Sequence, residues 1–244
     1  MKQVYFVHVP KTGGMAIRNV FHGNNKFFPR LKDREHKFGF EKASRFGSIS
    51  FPTEFWPSYE KKDGFKNANI VFTVIRNPFD HLVSYYSHDA HGTNIDDGWA
   101  NVNSFMGFKS FEEFVEGYCT LEPQKWHVPM FSVSMYSQLF NKKRESNVHY
   151  AVRFEYLKEG LMKIAEMAGM TLRKLDGRNF KRNISARRKD RVYNDYYNSH
   201  TKRLVKEKMK WELDAFCYNF SGPQDDNPIQ DISDLQLPYD GEIL

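Results

Sequence analysis

The chain has 244 residues, 40% hydrophobic and 16% aromatic, with 36 Lys and Arg against 30 Asp and Glu. Such a chain can bury one full core, as a single domain or a domain with a small appendage, and it is not a disordered polymer. No apolar run approaches the roughly 18–20 residues that cross a bilayer, no signal-peptide pattern opens the chain, and two cysteines, Cys119 and Cys217, are too few and too far apart for a disulfide framework or a zinc knuckle.

Both cysteines are expected as free thiols in the core, where unpaired Cys is common. The net charge of +6 conceals an asymmetry. Residues 222–244 hold six acids and neither Lys nor Arg, which leaves a formal +12 on the other 221 residues. A body of that sign favours anionic ligands through its summed field. No helix-turn-helix, RNA-binding aromatic motif or zinc finger directs it to nucleic acid. The organisation expected is one domain over 1–221 and an acidic, Pro-containing tail over 222–244.

In chain order, 3–9 reads as a buried strand and 15–22 as the helix after it. Residues 24–66 lack clean periodicity and are expected as loops with short helices. Ile70 to Ile75 is a continuous, β-branched apolar run, the pattern of a strand covered on both faces. In "NPFDHLVSYYSH", Asn77 is placed to cap a helix, Pro78 suits its first position, and Asp80 stands where a capping-box carboxylate reaches back. Residues 91–109 read as a loop, and Ser110 with Glu113 opens another helix at capping-box spacing.

Residues 124–141 are expected to be helical. A third strand follows over 148–154, then a helix over 156–168 with Leu157, Leu161, Ile164, Ala165 and Ala168 on one face. Residues 173–191 hold nine Lys and Arg against two acids. A last amphipathic helix spans 200–216, and the tail, with Pro223, Pro228 and Pro238, is expected to lie extended. Strands alternating with helices predict an α/β fold with a mainly parallel central sheet.

Two stretches carry the chemistry. "VYFVHVPKTGGMAIR" (4–18) runs a strand through a glycine turn into a helix, the arrangement that presents backbone N–H groups to an anion. Lys11 precedes the glycines, whereas a nucleotide-triphosphate loop requires Gly-Lys-Ser/Thr after them. Taken alone, the turn fits a phosphate cradle and a plain strand-to-helix corner with a solvated lysine equally well. "VIRNPFDHLVSYY" (74–86) places Arg76 at the end of a second strand and Ser84 about two turns along the next helix. A guanidinium there can grip a phosphate bidentately; the plainer alternative is that Arg76 pairs with Asp80 and Ser84 faces a neighbouring helix.

In this order and spacing, "HVPKTGG" and "VIRNPFDHLVSYY" resemble the sulfotransferases that use 3′-phosphoadenosine-5′-phosphosulfate (PAPS), and more narrowly the carbohydrate branch that includes uronyl and heparan sulfate 2-O-sulfotransferases. "VRFEYL" (152–157) is similar to that family's late strand, "DAFCYNF" (214–220) to its closing helix end, and "KRNISARRK" (181–189) to the basic loop over the nucleotide. The resemblance covers most of 3–220 in patches and implies a P-loop-like, three-layer α/β/α domain.

It implies that Lys11, Thr12, Gly13, Gly14, Met15 and Ala16 hold the 5′-phosphosulfate, with Lys11 near the oxygen that bridges phosphate and sulfate. Arg76 and Ser84 would bind the 3′-phosphate, and Asn183, Ser185 and Arg187 of the basic loop would cover the nucleotide. PAPS is then the donor and 3′-phosphoadenosine-5′-phosphate (PAP) the product. The acceptor would be a hydroxyl, that of a saccharide and an anionic one if the basic body is a guide. Sulfuryl transfer, like phosphoryl transfer, is carried by positioning and electrostatics, and sulfate bears less charge than phosphate, so no metal is expected.

His36, in "REHKFGFEKASRFG", lies in the segment resembling the one that holds the family's catalytic histidine and is the general base expected; an exposed loop histidine is the alternative. His88 and His91 are reserves, His127 could line an acceptor pocket or pack, and His8 reads as a satisfied core histidine. Glu155 reads as a capping or pairing group rather than a base. Two positions depart from the family pattern: Met15 replaces a Thr or Ser hydroxyl, and His81 stands where Arg is common, at a position expected to face away from the nucleotide. Two other classes stay open: a non-catalytic or lapsed polyanion-binding protein, and a nucleotide kinase. The absent anchor and leader lead to the expectation of a cytoplasmic enzyme of bacterial or viral type, with no membrane or nucleic-acid partner.

Overall fold

The computed structural model describes residues 2, 4–9, 11–14, 16–17, 38–42, 66–89, 108–120, 136, 139–141, 143–169 and 192–238, with backbone alone at 38–42, 88 and 89. Strands β1 (Val4–His8), β2 (Phe38–Lys42), β3 (Ile70–Ile75) and β4 (Tyr150–Arg153) are joined by β7 (Ile229–Asp231) in one sheet of order β2-β1-β3-β4-β7. The first four run parallel, and β7 closes the edge antiparallel to β4. A short hairpin pairs β5 (Tyr218–Asn219) with β6 (Gly222–Pro223). The fold is thus mixed α/β with a mainly parallel sheet, as the alternation of elements predicts.

Every residue of β3 is buried, which is why its sequence is an unbroken apolar run rather than an alternating one. Alternate side chains feed two cores. Tyr5, Val7, Val71, Ile75 and Ala151 pack with residues of α1 (Pro78–Asp89), α2 (Phe111–Thr120), α4 (Ser199–Lys208) and α5 (Lys210–Ala215). Val4, Phe6, Phe72, Val74 and Val152 pack with Ile17 and with Leu157, Leu161 and Ile164 of α3 (Leu157–Met167). Among the described residues no helix is long and apolar enough to cross a membrane.

Helix α1 starts as its sequence predicts, with Asn77 Oδ1 accepting the amide of Phe79 at 3.0 Å. The amide of Asn77 itself donates to Glu155 Oε1 at 3.1 Å, while Asp80, expected to reach back to it, receives the guanidinium of Arg76. In α2, Ser110 Oγ accepts the amide of Glu113 at 3.1 Å, and Glu113 Oε2 takes the amide of Lys109, one residue earlier than a capping box would.

Other expectations are corrected. β2 lies inside the stretch read as loops and short helices. Of the helix expected over 124–141, the described part contains Phe140 in an antiparallel bridge to Ser146; 124–135 lies outside the described residues. The last helix is two, because the backbone at Met209 (φ −107°, ψ 27°) leaves the helical region between α4 and α5. Cys217 is exposed at φ +53° rather than in the core, whereas Cys119 is half-buried, its thiol pushed up to about 12 by burial.

The segment after residue 221 supplies β6 and β7 and is fastened by a buried cation. Arg153, 1% exposed, donates from Nε to the carbonyl of Asn227 (3.0 Å), from Nη1 to that of Phe216 (2.6 Å) and from Nη2 to Asp225 Oδ2 (2.9 Å). Its guanidinium also lies 5.1 Å from the centre of the Tyr218 ring.

Candidate active site

In an open parallel sheet, ligands bind beyond the carboxyl ends of the strands. At that end of β1 the chain turns sharply. Thr12, fully buried, donates its hydroxyl to the carbonyl of Val9 at 2.7 Å and so closes the corner. Lys11 adopts φ +64° and Gly13 φ +89°, both in the left-handed region. Gly14, Ala16 and Ile17 are helical, and the amides of Ala16 and Ile17 donate back to the Gly13 carbonyl at 2.9 and 3.2 Å.

The two glycines answer different demands. Gly13 needs its dihedral, and a Cβ there would also lie 2.9 Å from Phe154 Cε2. Gly14 has no such dihedral; a Cβ on it would lie 2.0 Å from His8 Nε2, so the imidazole at the end of β1 occupies the space a side chain would fill. His8 is therefore not a core histidine. It is half-buried against the loop, with its ring 5.7 Å from that of Phe6.

At the end of the adjoining strand, Arg76 is 6% exposed. Its Nε donates to Asp80 Oδ2 at 2.5 Å, and its Nη1 donates to the carbonyl of Lys11 at 2.9 Å. The guanidinium carbon lies 4.3 Å from the centre of the Phe154 ring. The Tyr136 hydroxyl accepts from the Arg76 amide and donates to the Arg76 carbonyl, both at 3.0 Å; burial holds that phenol far above its usual range. The pairing with Asp80 is the plainer alternative the sequence allows. The bond to Lys11 is a second fact, and it ties the two motifs together.

An arginine has five N–H donors. Nε and one Nη1 proton are engaged here, so three remain for a ligand among the described residues. Ser84, half-buried on α1, makes no side-chain hydrogen bond among them. Residues outside both motifs join the strand ends through Asn77 of the second motif. Glu155 takes the Asn77 amide and the hydroxyl of Tyr218 (2.7 Å), and Asn77 Nδ2 donates to the carbonyl of Asn219 (2.8 Å). Glu155 is a capping group, as its place at a strand end suggests, and its second oxygen takes a tyrosine hydroxyl rather than a basic neighbour. His81 is fully buried, stacked on Tyr85 at 4.8 Å.

Lys11, Thr12, Gly13, Gly14, Ala16 and Arg76 are thus placed at neighbouring strand ends. Met15, His36, Asn183, Ser185 and Arg187 lie outside the described residues, as do His91, His127 and the side chain of His88. Sequence reasoning missed Phe154 and Tyr136. Phe154 follows directly on a recognisable strand, but nothing in its local pattern distinguishes it from a core aromatic. Among the described residues no group of three or more His, Cys, Asp or Glu could hold a metal.

A glycine corner with its lysine ahead is thus tied to an arginine at the end of the next parallel strand, and the order of lysine and glycines is not that of a triphosphate-binding loop. The chain belongs to the sulfotransferase family, whose family model matches residues 1–219. No curated protein matches the chain. The family transfers sulfuryl groups to hydroxyl-bearing acceptors; β7 lies beyond the matched residues.

Proposed function

We propose that this protein transfers the sulfuryl group of PAPS to a hydroxyl of a saccharide, within a P-loop-like three-layer α/β/α domain to whose sheet the segment after residue 221 also contributes a strand. The observation that carries the reading is the bond from Arg76 Nη1 to the Lys11 carbonyl. It sets an anion-cradling corner and a guanidinium with spare donors side by side, as a nucleotide phosphorylated at both its 3′ and 5′ positions requires. The fit is supported by Ser84, which carries a hydroxyl on the helix that follows Arg76.

Each residue then has a task. The N–H groups of 12–15 take the 5′ group, that of Ala16 being engaged by the Gly13 carbonyl, and Arg76 and Ser84 take the 3′-phosphate, which ATP and ADP lack. Asn183, Ser185 and Arg187 cover the nucleotide. The acceptor oxygen forms its bond to sulfur as the bond from sulfur to the phosphate-bridging oxygen breaks. Lys11 meets the charge that develops on that oxygen, and the acceptor's proton passes to a base, for which His36 is proposed. No metal is needed for this division of labour, and a cytoplasmic location accords with it.

The test is transfer of radiolabelled sulfate from PAPS to a panel of neutral and uronic-acid-containing oligosaccharides. The wild type should label at least one. Lys11→Ala should lower the turnover by about 10²–10³, the usual loss for one preorganised donor at a developing oxyanion. Labelling of none of them by a protein that binds PAP would reject the saccharide, and an unchanged Lys11→Ala would reject the role given to the lysine.

A further inference from the structure

Phe154 lies where the two motifs meet. Its ring carries the Arg76 guanidinium, 4.3 Å from its centre, and its edge fills the space above Gly13, where a Cβ would come within 2.9 Å. The preceding residue, Arg153, is buried and bonded at Nε, Nη1 and Nη2, so the point from which the ring projects is fixed. Arg76 in turn holds the carbonyl of Lys11, a residue with a Cβ kept at φ +64°, an uncommon backbone state. The ring therefore touches both the arginine and the loop glycine, and the arginine in turn holds the loop carbonyl.

We infer that Phe154 is a positioning residue that joins the two ends of the nucleotide site, so that Arg76 orders the loop for the 5′ group as well as reading the 3′-phosphate. The inference rests on the donor proposed above. Its physical basis is the planarity of the guanidinium. A flat aromatic face fixes the plane of the fork, and with the plane fixed, Nη1 stays on the Lys11 carbonyl while other N–H groups face outward. Without the ring the fork can rotate about its bond to Asp80 or follow the ligand, and the Lys11 carbonyl loses its donor. Binding at one end then ceases to prepare the other.

The experiment is calorimetric titration of the wild type, Phe154→Leu, Phe154→Tyr and Arg76→Ala with two ligands, PAP and adenosine 5′-phosphosulfate, which has the whole 5′ group and no 3′-phosphate. Thermal melts of each protein accompany the titrations. Phe154→Leu, which keeps bulk over Gly13 but not the flat face, should weaken both ligands by about 5- to 20-fold at an unchanged melting temperature, and Phe154→Tyr should stay within about twofold of the wild type. Arg76→Ala should weaken adenosine 5′-phosphosulfate as well, although that ligand offers no phosphate for the arginine to read. Unchanged binding of adenosine 5′-phosphosulfate by Arg76→Ala, or loss of PAP alone in Phe154→Leu, would overturn the coupling while leaving the donor assignment standing. If Arg76→Ala or Phe154→Leu fails to fold, Arg76→Lys decides in its place, since it keeps the charge and loses the fork. A wild type that binds neither ligand overturns the donor assignment and the coupling together.

Discussion

Adjacent glycines at a loop invite a single explanation, and Gly13 and Gly14 require two. At Gly13 the backbone itself is left-handed, so any side chain is strained by about 1–2 kcal/mol whatever its neighbours do. At Gly14 the constraint is the imidazole of His8. Gly14→Ala should therefore cost about 1–3 kcal/mol through overpacking, and most of that should return in the His8→Ala, Gly14→Ala double variant. Gly13→Ala should gain nothing from His8→Ala. Urea denaturation of the wild type, the three single variants and the two doubles with His8→Ala checks this, and a Gly14→Ala cost that persists without His8 would show that the ring is not what excludes a side chain. The residue types of both motifs were legible in the sequence, since Gly-Gly, Lys11 and Arg76 stand where strand ends are expected. The contacts among them were not. A hydrogen bond from Arg76 to the Lys11 carbonyl spans 65 residues, and no local pattern encodes it.

At the level of elements, legibility followed burial. β3 and α3 announce themselves because one is buried on all faces and the other on a single stripe. β2, "FGFEK", offers neither a continuous apolar run nor clean alternation, because Gly39 interrupts it and Glu41 and Lys42 end it, and it lies at the edge of the sheet. β7, "IQD", is shorter still and is a strand only because β4 offers it an open edge. The periodicity of 200–216 continues through Met209, which is buried, so the break between α4 and α5 left no mark in the pattern. The tail follows from Arg153: its acids are not merely a solvated run, since Asp225 and the Asn227 carbonyl satisfy a guanidinium that is 1% exposed. Deleting 222–244 should therefore destabilise the protein by about 3–5 kcal/mol, the usual consequence of stranding a buried charge. A lowered urea midpoint is the expected result. An unchanged midpoint would mean that the segment only rests against the sheet.

For the molecule as a whole, charge and fold point the same way without either being sufficient. The formal +12 carried outside the last 23 residues draws anions in general, and only the site can select among them. The selection proposed is for phosphate at both ends of the ribose, and it depends on Arg76 standing beside the loop. The most direct measurement is calorimetric titration with PAP, set against 5′-AMP and ATP with Mg²⁺, on the wild type and Arg76→Ala. Tight binding of PAP, weak binding of 5′-AMP and ATP, and loss of PAP affinity in the variant are predicted. Preference for ATP with Mg²⁺ over PAP, or PAP affinity indifferent to Arg76, would contradict the account.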